Sequence, residues 1–456
     1  MVVWGVMGFV VLVVGYTLVM FLLGLRRTAG KAAFAERRQF VVFIPCLNEE
    51  LVIVRTLDRL ISGGATNLTV VVIDDASDDR TAELVEAYPH PRVGVLRRTL
   101  PDARQGKGQA LNAAYRALRD HVRVHHIDPT AVVVGVLDAD GRLDVDRLHL
   151  VDRAFESPGI AGVQIRVRIH NAPDGLLPRL QDVEFATFTE IFQRARAQLG
   201  SAGLGGNGQF TRLSALMELG DEPWSDCLTE DLELGINFLL AGWTNEFLPE
   251  VAVSQQGVTD FGRLLRQRSR WFQGHLQCIP LLHQIARSDR MSIMARVDVA
   301  YHLLNSVLML VFQTFSVVWL GVTLAVLVSR PVDTEVTAAG WVVLYFLAFG
   351  LAPLIAIAYR RARPDVGVAR CLLYAHLYVL YTYLWWLAGM RALFRHVRGD
   401  RGWAKTTRTV GSGDEAGPAT STTVSMPFPV VDLSSLPAVE AVGAYSHASP
   451  RQKVMS

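Results

Sequence analysis

The chain of 456 residues is long enough for two or three domains of ordinary size. Half of its residues are hydrophobic and only 19% are charged, which is skewed away from an ordinary soluble enzyme, and a net charge of +2 with scattered arginines gives no field suited to nucleic acid. Four cysteines, Cys46, Cys227, Cys278 and Cys371, are far apart in sequence and lack metal-ligand spacing, so buried or idle thiols in a reducing compartment are expected.

No charged residue occurs from Val2 to Leu25, and about 20 apolar residues suffice to cross the hydrocarbon core as a helix. Arg26 and Arg27 follow the apolar run instead of preceding it, and no cleavage-like site comes after them, so residues 1–27 read as a retained anchor and not a secretory signal. Arginines on the downstream side predict that the next domain is cytoplasmic.

From Gln39 to Pro249 the pattern changes to short β-branched runs separated by amphipathic stretches. Phe40–Pro45, Thr69–Ile73, Arg92–Leu96 and Ala131–Leu137 read as buried strands, being largely apolar runs of strand length bounded by turn residues. Glu49–Ser62, Arg80–Ala87 and Gly108–Arg119 carry helical periodicity between them. Alternation of strand and helix implies a parallel sheet with right-handed crossovers, whose ligands gather at the carboxyl ends of the strands.

Polar residues stand at those ends. The first strand runs into Pro45, Asn48, Glu49 and Glu50, and the second into Asp74, Asp75, Ser77, Asp78, Asp79 and Thr81. Such side chains can hydrogen-bond a base edge and a ribose, although Asp78 and Asp79 also suit simple capping of the following helix. Gly106, Lys107 and Gly108 open the next helix, where a lysine is a plausible phosphate contact; the spacing is not that of a Walker loop. The fourth strand ends in Asp138, Ala139 and Asp140, two carboxylates that can be brought to one hard cation, Mg²⁺ or Mn²⁺. Gly205, Gly206, Asn207 and Gly208 read as a flexible segment able to approach a sugar closely. Thr229 reads as the cap of a helix that carries Glu230 and Asp231 at its positive end, with Asp231 in reach of a general-base role.

After Pro249 an arginine-rich stretch, Phe261–Gln277, interleaves apolar and basic residues like a helix lying in a membrane interface. Within it Gln267 and Arg270 share a helix face and Trp271 can present a flat ring to a sugar, while the guanidinium of Arg268 or Arg270 can meet phosphate. Three apolar blocks follow, Val299–Val328, Ala338–Tyr359 and Val368–Leu393. Beyond Gly399 the Gly, Ser, Thr, Pro and Ala content predicts disorder from about Ser412. Four crossings from an outside N-terminus return the tail outside, whereas Arg391, Arg395, His396, Arg398 and Arg401 favour a cytoplasmic tail, which is the expectation adopted. The resulting division is 1–27 anchor, 39–255 catalytic domain, 256–296 interfacial helices, 297–395 transmembrane helices and 396–456 tail.

Taken in order, Asp74/Asp75, Asp138-Ala139-Asp140, Thr229-Glu230-Asp231 and Gln267-Arg268-Ser269-Arg270-Trp271 resemble the D, DxD, TED and QxxRW motifs of membrane-integrated family 2 glycosyltransferases. That family includes cellulose, hyaluronan and poly-N-acetylglucosamine synthases, and the resemblance spans about Phe40 to Leu393. It implies an α/β domain of GT-A type with a mixed, mainly parallel sheet, joined to interfacial and transmembrane helices. It further implies a UDP-sugar donor, a divalent cation and inverting displacement at the anomeric carbon. By motif match, Asp74 and Asp75 would hold uridine, Asp138 the nucleotide sugar and Asp140, with Asp138, the cation. Asp231, beside Glu230, would deprotonate the acceptor, and Gln267, Arg268, Arg270 and Trp271 would line the acceptor and diphosphate site. Pro45, Glu49 and Lys107 join the donor set by position. The expected activity is that of a processive β-linked polysaccharide synthase in the plasma membrane; the alternative is a non-processive transferase that glycosylates diacylglycerol or a polyprenyl phosphate.

Overall fold

The computed structural model describes residues 15–24, 38–329, 341–342, 345–346 and 348–398. Its centre is an eight-stranded sheet in the order β3-β2-β1-β4-β7-β6-β8-β5. The strands are β1 Gln39–Cys46, β2 Leu68–Asp75, β3 Val93–Arg98, β4 Val132–Val136, β5 Arg142–Leu143, β6 Ile160–Ile169, β7 Gln209–Arg212 and β8 Thr244–Gln255. β1 pairs in parallel with both β2 and β4, β2 with β3, and β6 with β8; β7 runs antiparallel between β4 and β6, and β5 antiparallel along β8. The sheet is therefore mixed and mainly parallel, as expected, and the four anticipated strands are β1 to β4.

The apolar runs are continuous because both faces of the sheet are covered. Phe40, Val42 and Ile44 face one layer with Ile53, Leu57 and Leu60 of α2 (Ile53–Ser62). Val41 and Phe43 face the other, with Leu111, Tyr115 and Leu118 of α4 (Lys107–Val124). Two strands buried on both sides lose the hydrophobic alternation that a half-exposed strand would display. Short helices α3 (Thr81–Glu86), α5 (Leu148–Ala154) and α8 (Leu213–Glu218) complete the layers.

A second layer of helices joins the sheet to the apolar C-terminal part. α6 (Leu176–Glu184) and α7 (Glu190–Leu199) are separated by one π-helical turn, Phe185–Thr189. Leu180 and Val183 of α6 pack with Ile355 and Tyr359 of α13 (Ala352–Ala362) and with Tyr378 of α14 (Val368–Tyr381). α9 (Glu230–Ala241) offers Leu232, Ile236 and Leu239 to Ile285 of α11 (Leu282–Arg287) and to Val299 and Leu303 of α12 (Ile293–Ser329). The arginine-rich stretch forms α10 (Phe261–Cys278), begun by the Asp260 carboxylate accepting the Arg263 N–H at 2.7 Å. α15 (Tyr383–Val397) crosses it closely, for a Cβ placed on Gly389 would lie 2.8 Å from the Phe272 ring.

Two helical stretches, Ile293–Thr323 and Val368–Val397, are long and apolar enough to cross a membrane. Val311, Val318 and Trp319 of the first are 64%, 60% and 57% exposed, an apolar surface that fits a lipid environment. The anticipated N-terminal anchor is described only over α1, Gly15–Gly24, where the Tyr16 hydroxyl donates to Asp298 of α12 at 2.5 Å. The anticipated block at 338–359 is described in part, and the tail beyond residue 398 lies outside the described residues.

Candidate active site

The carboxyl ends of β1, β2, β4 and β8 lie along one edge of the sheet, and the start of α9 faces it. Leu137 and Asp138 follow β4 directly, and the segment before β7 returns to the same place because β7 is antiparallel: the Gly208 N–H donates to the Val136 carbonyl at 2.9 Å. Lys107, the first residue of α4, reaches across this edge. Its Nζ donates to Asp138 Oδ1 at 3.0 Å and lies 3.9 Å from Glu230 Oε1. Burial would disfavour the ammonium, but Asp138, Glu230 and Asp231 outweigh it and hold its pKa above the ordinary lysine value. A Cβ added to Gly206 would sit 2.8 Å from Asp231 Oδ2 and 3.4 Å from Lys107 Nζ, so this backbone closes the other side of the cluster.

Glu230 and Asp231 are raised for the same reason, burial at the sheet edge, and in Glu230 the neighbouring Asp231 charge adds to it; Glu230 is pushed up to about 7. Lys107 and Arg270 oppose the rise in both acids, so Arg270 of α10 belongs to the same electrostatic cluster. Its Nε is buried with no hydrogen-bond partner, a donor held ready beside the two acids. The Asp231 carboxylate accepts the Leu232 N–H at 2.8 Å, which fixes its rotamer against the helix start. One cluster therefore brings together Lys107, Asp138, Glu230, Asp231 and Arg270. A buried acid pair flanked by two cations can hold or release a proton near neutral pH.

The anticipated donor residues occupy the adjoining strand ends. Pro45 and Cys46 of β1 stand in register with Ile73 and Asp74 of β2. Asp74 is buried, with Oδ1 lacking a hydrogen-bond partner, whereas Asp75 is ion-paired with Arg98. Burial raises the Asp75 carboxyl and Arg98 draws it back. Glu49 is buried, its N–H donating to Thr81 Oγ1 at 2.8 Å. Asp79 caps the start of α3, accepting the Thr81 N–H at 2.9 Å, and Asp78 pairs with Arg104. Asp140 accepts the Gln256 N–H at 3.2 Å and is buried beside the end of β8.

Three details depart from the sequence expectation. Gly205–Gly208 is pinned, not flexible: Gln164 Oε1 accepts the Gly205 N–H at 2.8 Å, and Asn207 Oδ1 accepts the Asp138 N–H at 3.2 Å while its amide donates to Gln255 at 2.9 Å. Gly206 and Gly208 have φ of 71° and 73°, the left-handed region, and a Cβ on Gly208 would come within 2.7 Å of Ile165 and Val253. Thr229 makes no side-chain cap to α9; its hydroxyl turns toward Cys227 at 3.5 Å. Arg268, expected at the acceptor and diphosphate site, is fully buried and donates to Glu184 at 2.6 Å. Its guanidinium lies 4.1 Å from the Trp271 ring centroid and 5.2 Å from that of Trp385. Gln267, Arg270 and Trp271 are each partly exposed.

Sequence reasoning missed Arg98, Asn207's double role and Glu184. Arg97 and Arg98 end β3 opposite Asp74 and Asp75, so pairing the charges at neighbouring strand ends would have found the first. Glu184 carries no local signal, since its partners Arg268, Tyr381 and Trp385 are far away in sequence.

A mixed sheet of this order, with acids gathered at its carboxyl edge, defines a glycosyltransferase domain of GT-A type. The profile of the family described as "glycosyltransferase like family 2" matches residues 37–274, and the chain belongs to that family. Over 254 residues it is 32% identical to a beta-monoglucosyldiacylglycerol synthase of Synechocystis sp., covering 54% of this chain and 50% of the relative. Over 267 residues it is 30% identical to glucomannan 4-beta-mannosyltransferase 7 of Arabidopsis thaliana, covering 56% and 46%. The chain thus spans about half the length of the curated relatives it matches. In fold it is similar to the mannosyltransferase PcManGT from Pyrobaculum calidifontis, solved in complex with GDP-Man and Mn²⁺, with TM-score 0.52 and 18% identity over 82% of this chain and 98% of that one.

Proposed function

We propose that the chain transfers a sugar from a nucleotide diphosphate donor, a UDP-sugar in the first instance, to a hydroxyl held at the membrane surface, with inversion at the anomeric carbon. The observation that carries this reading is the convergence of Lys107, Asp138, Glu230, Asp231 and Arg270 on one edge of the sheet. Asp231 is the general base: half-buried, fixed by the Leu232 N–H and raised in pKa, it suits removal of a proton from an acceptor hydroxyl. Glu230 shares that proton. Arg270 and Lys107 supply positive charge for the departing diphosphate, and Trp271 offers the acceptor a ring face. Asp74, with its unpartnered buried oxygen, Asp75, Pro45 and Glu49 form the nucleoside end of the donor site.

The two hard carboxylates Asp138 and Asp140 at the end of β4 suit Mg²⁺ or Mn²⁺, with the donor's phosphate oxygens as the remaining ligands. When bound, such an ion neutralises charge on the leaving diphosphate. The relative fold solved with Mn²⁺ is in keeping with this. Excess chelator is expected to abolish transfer, and full activity under chelation would remove the ion from the site.

The enzyme is read as a multi-pass protein with its catalytic domain on the cytoplasmic side of the plasma membrane; the two long apolar helices support its membrane association. For the acceptor, the first reading is a growing β-linked glycan, in keeping with the glucomannan mannosyltransferase among its relatives. The second is a lipid acceptor such as diacylglycerol, favoured by the similarity to a beta-monoglucosyldiacylglycerol synthase. Labelled product that extracts wholly into organic solvent would eliminate the polymer; an insoluble or gel-retained product would eliminate the glycolipid. Asp231→Asn is expected to lower kcat by about 10²–10⁴-fold with donor affinity little changed, and unchanged turnover would take Asp231 out of the role.

A further inference from the structure

Two of the four cysteines, unremarkable in sequence, come together in the fold. Cys227 precedes α9 and Cys278 ends α10, and their Sγ atoms lie 3.7 Å apart. The carboxylate of Glu233, in the first turn of α9, completes a group whose ligand atoms all lie within 4.8 Å of one another. Among the described residues this is the only such group of three. The hydroxyl of Thr229 is 3.5 Å from Cys227 Sγ and 4.0 Å from Cys278 Sγ, a fourth polar atom on the same spot.

The spacing has a physical meaning. A tetrahedral ion with metal–sulfur bonds of about 2.3 Å sets its two sulfurs about 3.8 Å apart, close to the distance seen, whereas a disulfide would need about 2.05 Å. Two thiolates and a carboxylate side by side repel unless a cation lies between them. Soft sulfur ligands also select a different metal from the all-oxygen pair at Asp138 and Asp140.

We propose that Cys227, Cys278 and Glu233 bind a soft divalent cation of the Zn²⁺ class, which pins the start of α9 to the end of α10. Binding releases one proton from each thiol and leaves the fourth position to water or the Thr229 hydroxyl. The two elements it joins carry Glu230 and Asp231 on one side and Arg270 and Trp271 on the other, and they already touch: a Cβ on Gly274 would lie 2.5 Å from Thr229 Oγ1. The ion therefore fixes the separation of the acid pair from the tryptophan-bearing helix. The inference stands on the thiol geometry and does not depend on the proposed activity.

Full-length protein in detergent, stripped of metal and kept reduced, is titrated with Co²⁺ in the presence of excess Mg²⁺. The expected result is near-ultraviolet thiolate-to-cobalt absorption that saturates at about one ion per chain, is displaced by Zn²⁺, disappears in Cys278→Ser and weakens in Glu233→Gln. No such absorption, or absorption unchanged in Cys278→Ser, overturns the proposal. A second measurement needs no variant: Zn²⁺ is expected to slow iodoacetamide labelling of Cys227 in the native protein by about tenfold, read by mass spectrometry. A labelling rate indifferent to Zn²⁺, or a Cys227–Cys278 disulfide as the only product of the pair, contradicts it.

Discussion

Glu230, buried, and Asp231, half-buried, stand together at the start of α9, and their titration has two consequences of opposite sign. Glu230 holds its proton to about 7 in the fold, against 4.5 as an ordinary carboxyl, so between those values the folded chain binds more protons than the unfolded one. By linkage, the stability associated with this group is full below 4.5 and is lost as the pH rises toward 7. Glu230→Gln is expected to flatten that decline in a thermal melt series. Activity runs the other way, because a base must be unprotonated: burial raises Asp231, so the kcat/KM of the parent protein is expected to climb with pH above the ordinary carboxylate range, and a flat acid limb would separate the pair from catalysis. At this scale much was legible. Asp74, Asp138 and Asp231 stand out in sequence because acids abutting apolar strands, or at a helix start, mark a one-dimensional pattern, and the structure sets Asp138 and Asp231 in one cluster with Lys107. Arg268 sits between Glu184 and the rings of Trp271 and Trp385, an environment that its place in the motif does not specify. Only tertiary contacts with Glu184 and Trp385 reveal which way it points.

At the level of elements, α10 is the hinge of the site, with one face against α9 and the other against α15 and α6. Gly274 lets α9 and α10 approach, since an added Cβ would meet Thr229 Cγ2 at 2.6 Å and its N at 2.8 Å. Gly274→Ala is expected to cost about 1–3 kcal/mol through overpacking and to lower kcat by displacing Asp231 from Arg270; a variant with unaltered melting and turnover would show that the crossing has slack. On the opposite face, Glu184 anchors Arg268, and Arg268 supports the Trp271 ring. Removing one partner leaves a buried charge, so Glu184→Gln is expected to destabilise by about 3–5 kcal/mol, and a double-mutant cycle with Arg268→Met should recover much of the loss. The first four strands were readable because burial on both faces makes them solidly apolar. β6 and β8 were not, because Arg166, Arg168, Glu246 and Glu250 interrupt their hydrophobic runs. Helix α6 gives no separate signal, since its apolar partners include Ile355, Tyr359 and Tyr378, far along the chain, and α7 is held by β8 and by Asp298 of α12.

Across the whole molecule, the sheet domain and the apolar helices are built as one piece. Asp182 of α6 ties Arg363 at 2.7 Å, and Arg196 of α7 ties Asp298 at the root of α12 at 3.0 Å. The long apolar helices were legible from length and composition alone, whereas these ion pairs, each spanning more than a hundred residues of sequence, were not. Such anchoring keeps the carboxyl edge of the sheet at a fixed position relative to the two helices long enough to cross a membrane. The activity assigned to that edge is sugar transfer. The measurement that tests it most directly is incubation of purified full-length protein with a panel of radiolabelled UDP- and GDP-sugars and membrane lipid, run beside Asp231→Asn. The parent protein is expected to transfer label to a larger product, dependent on divalent cation, and Asp231→Asn to lose that transfer; equal label in both would rule out the assigned activity.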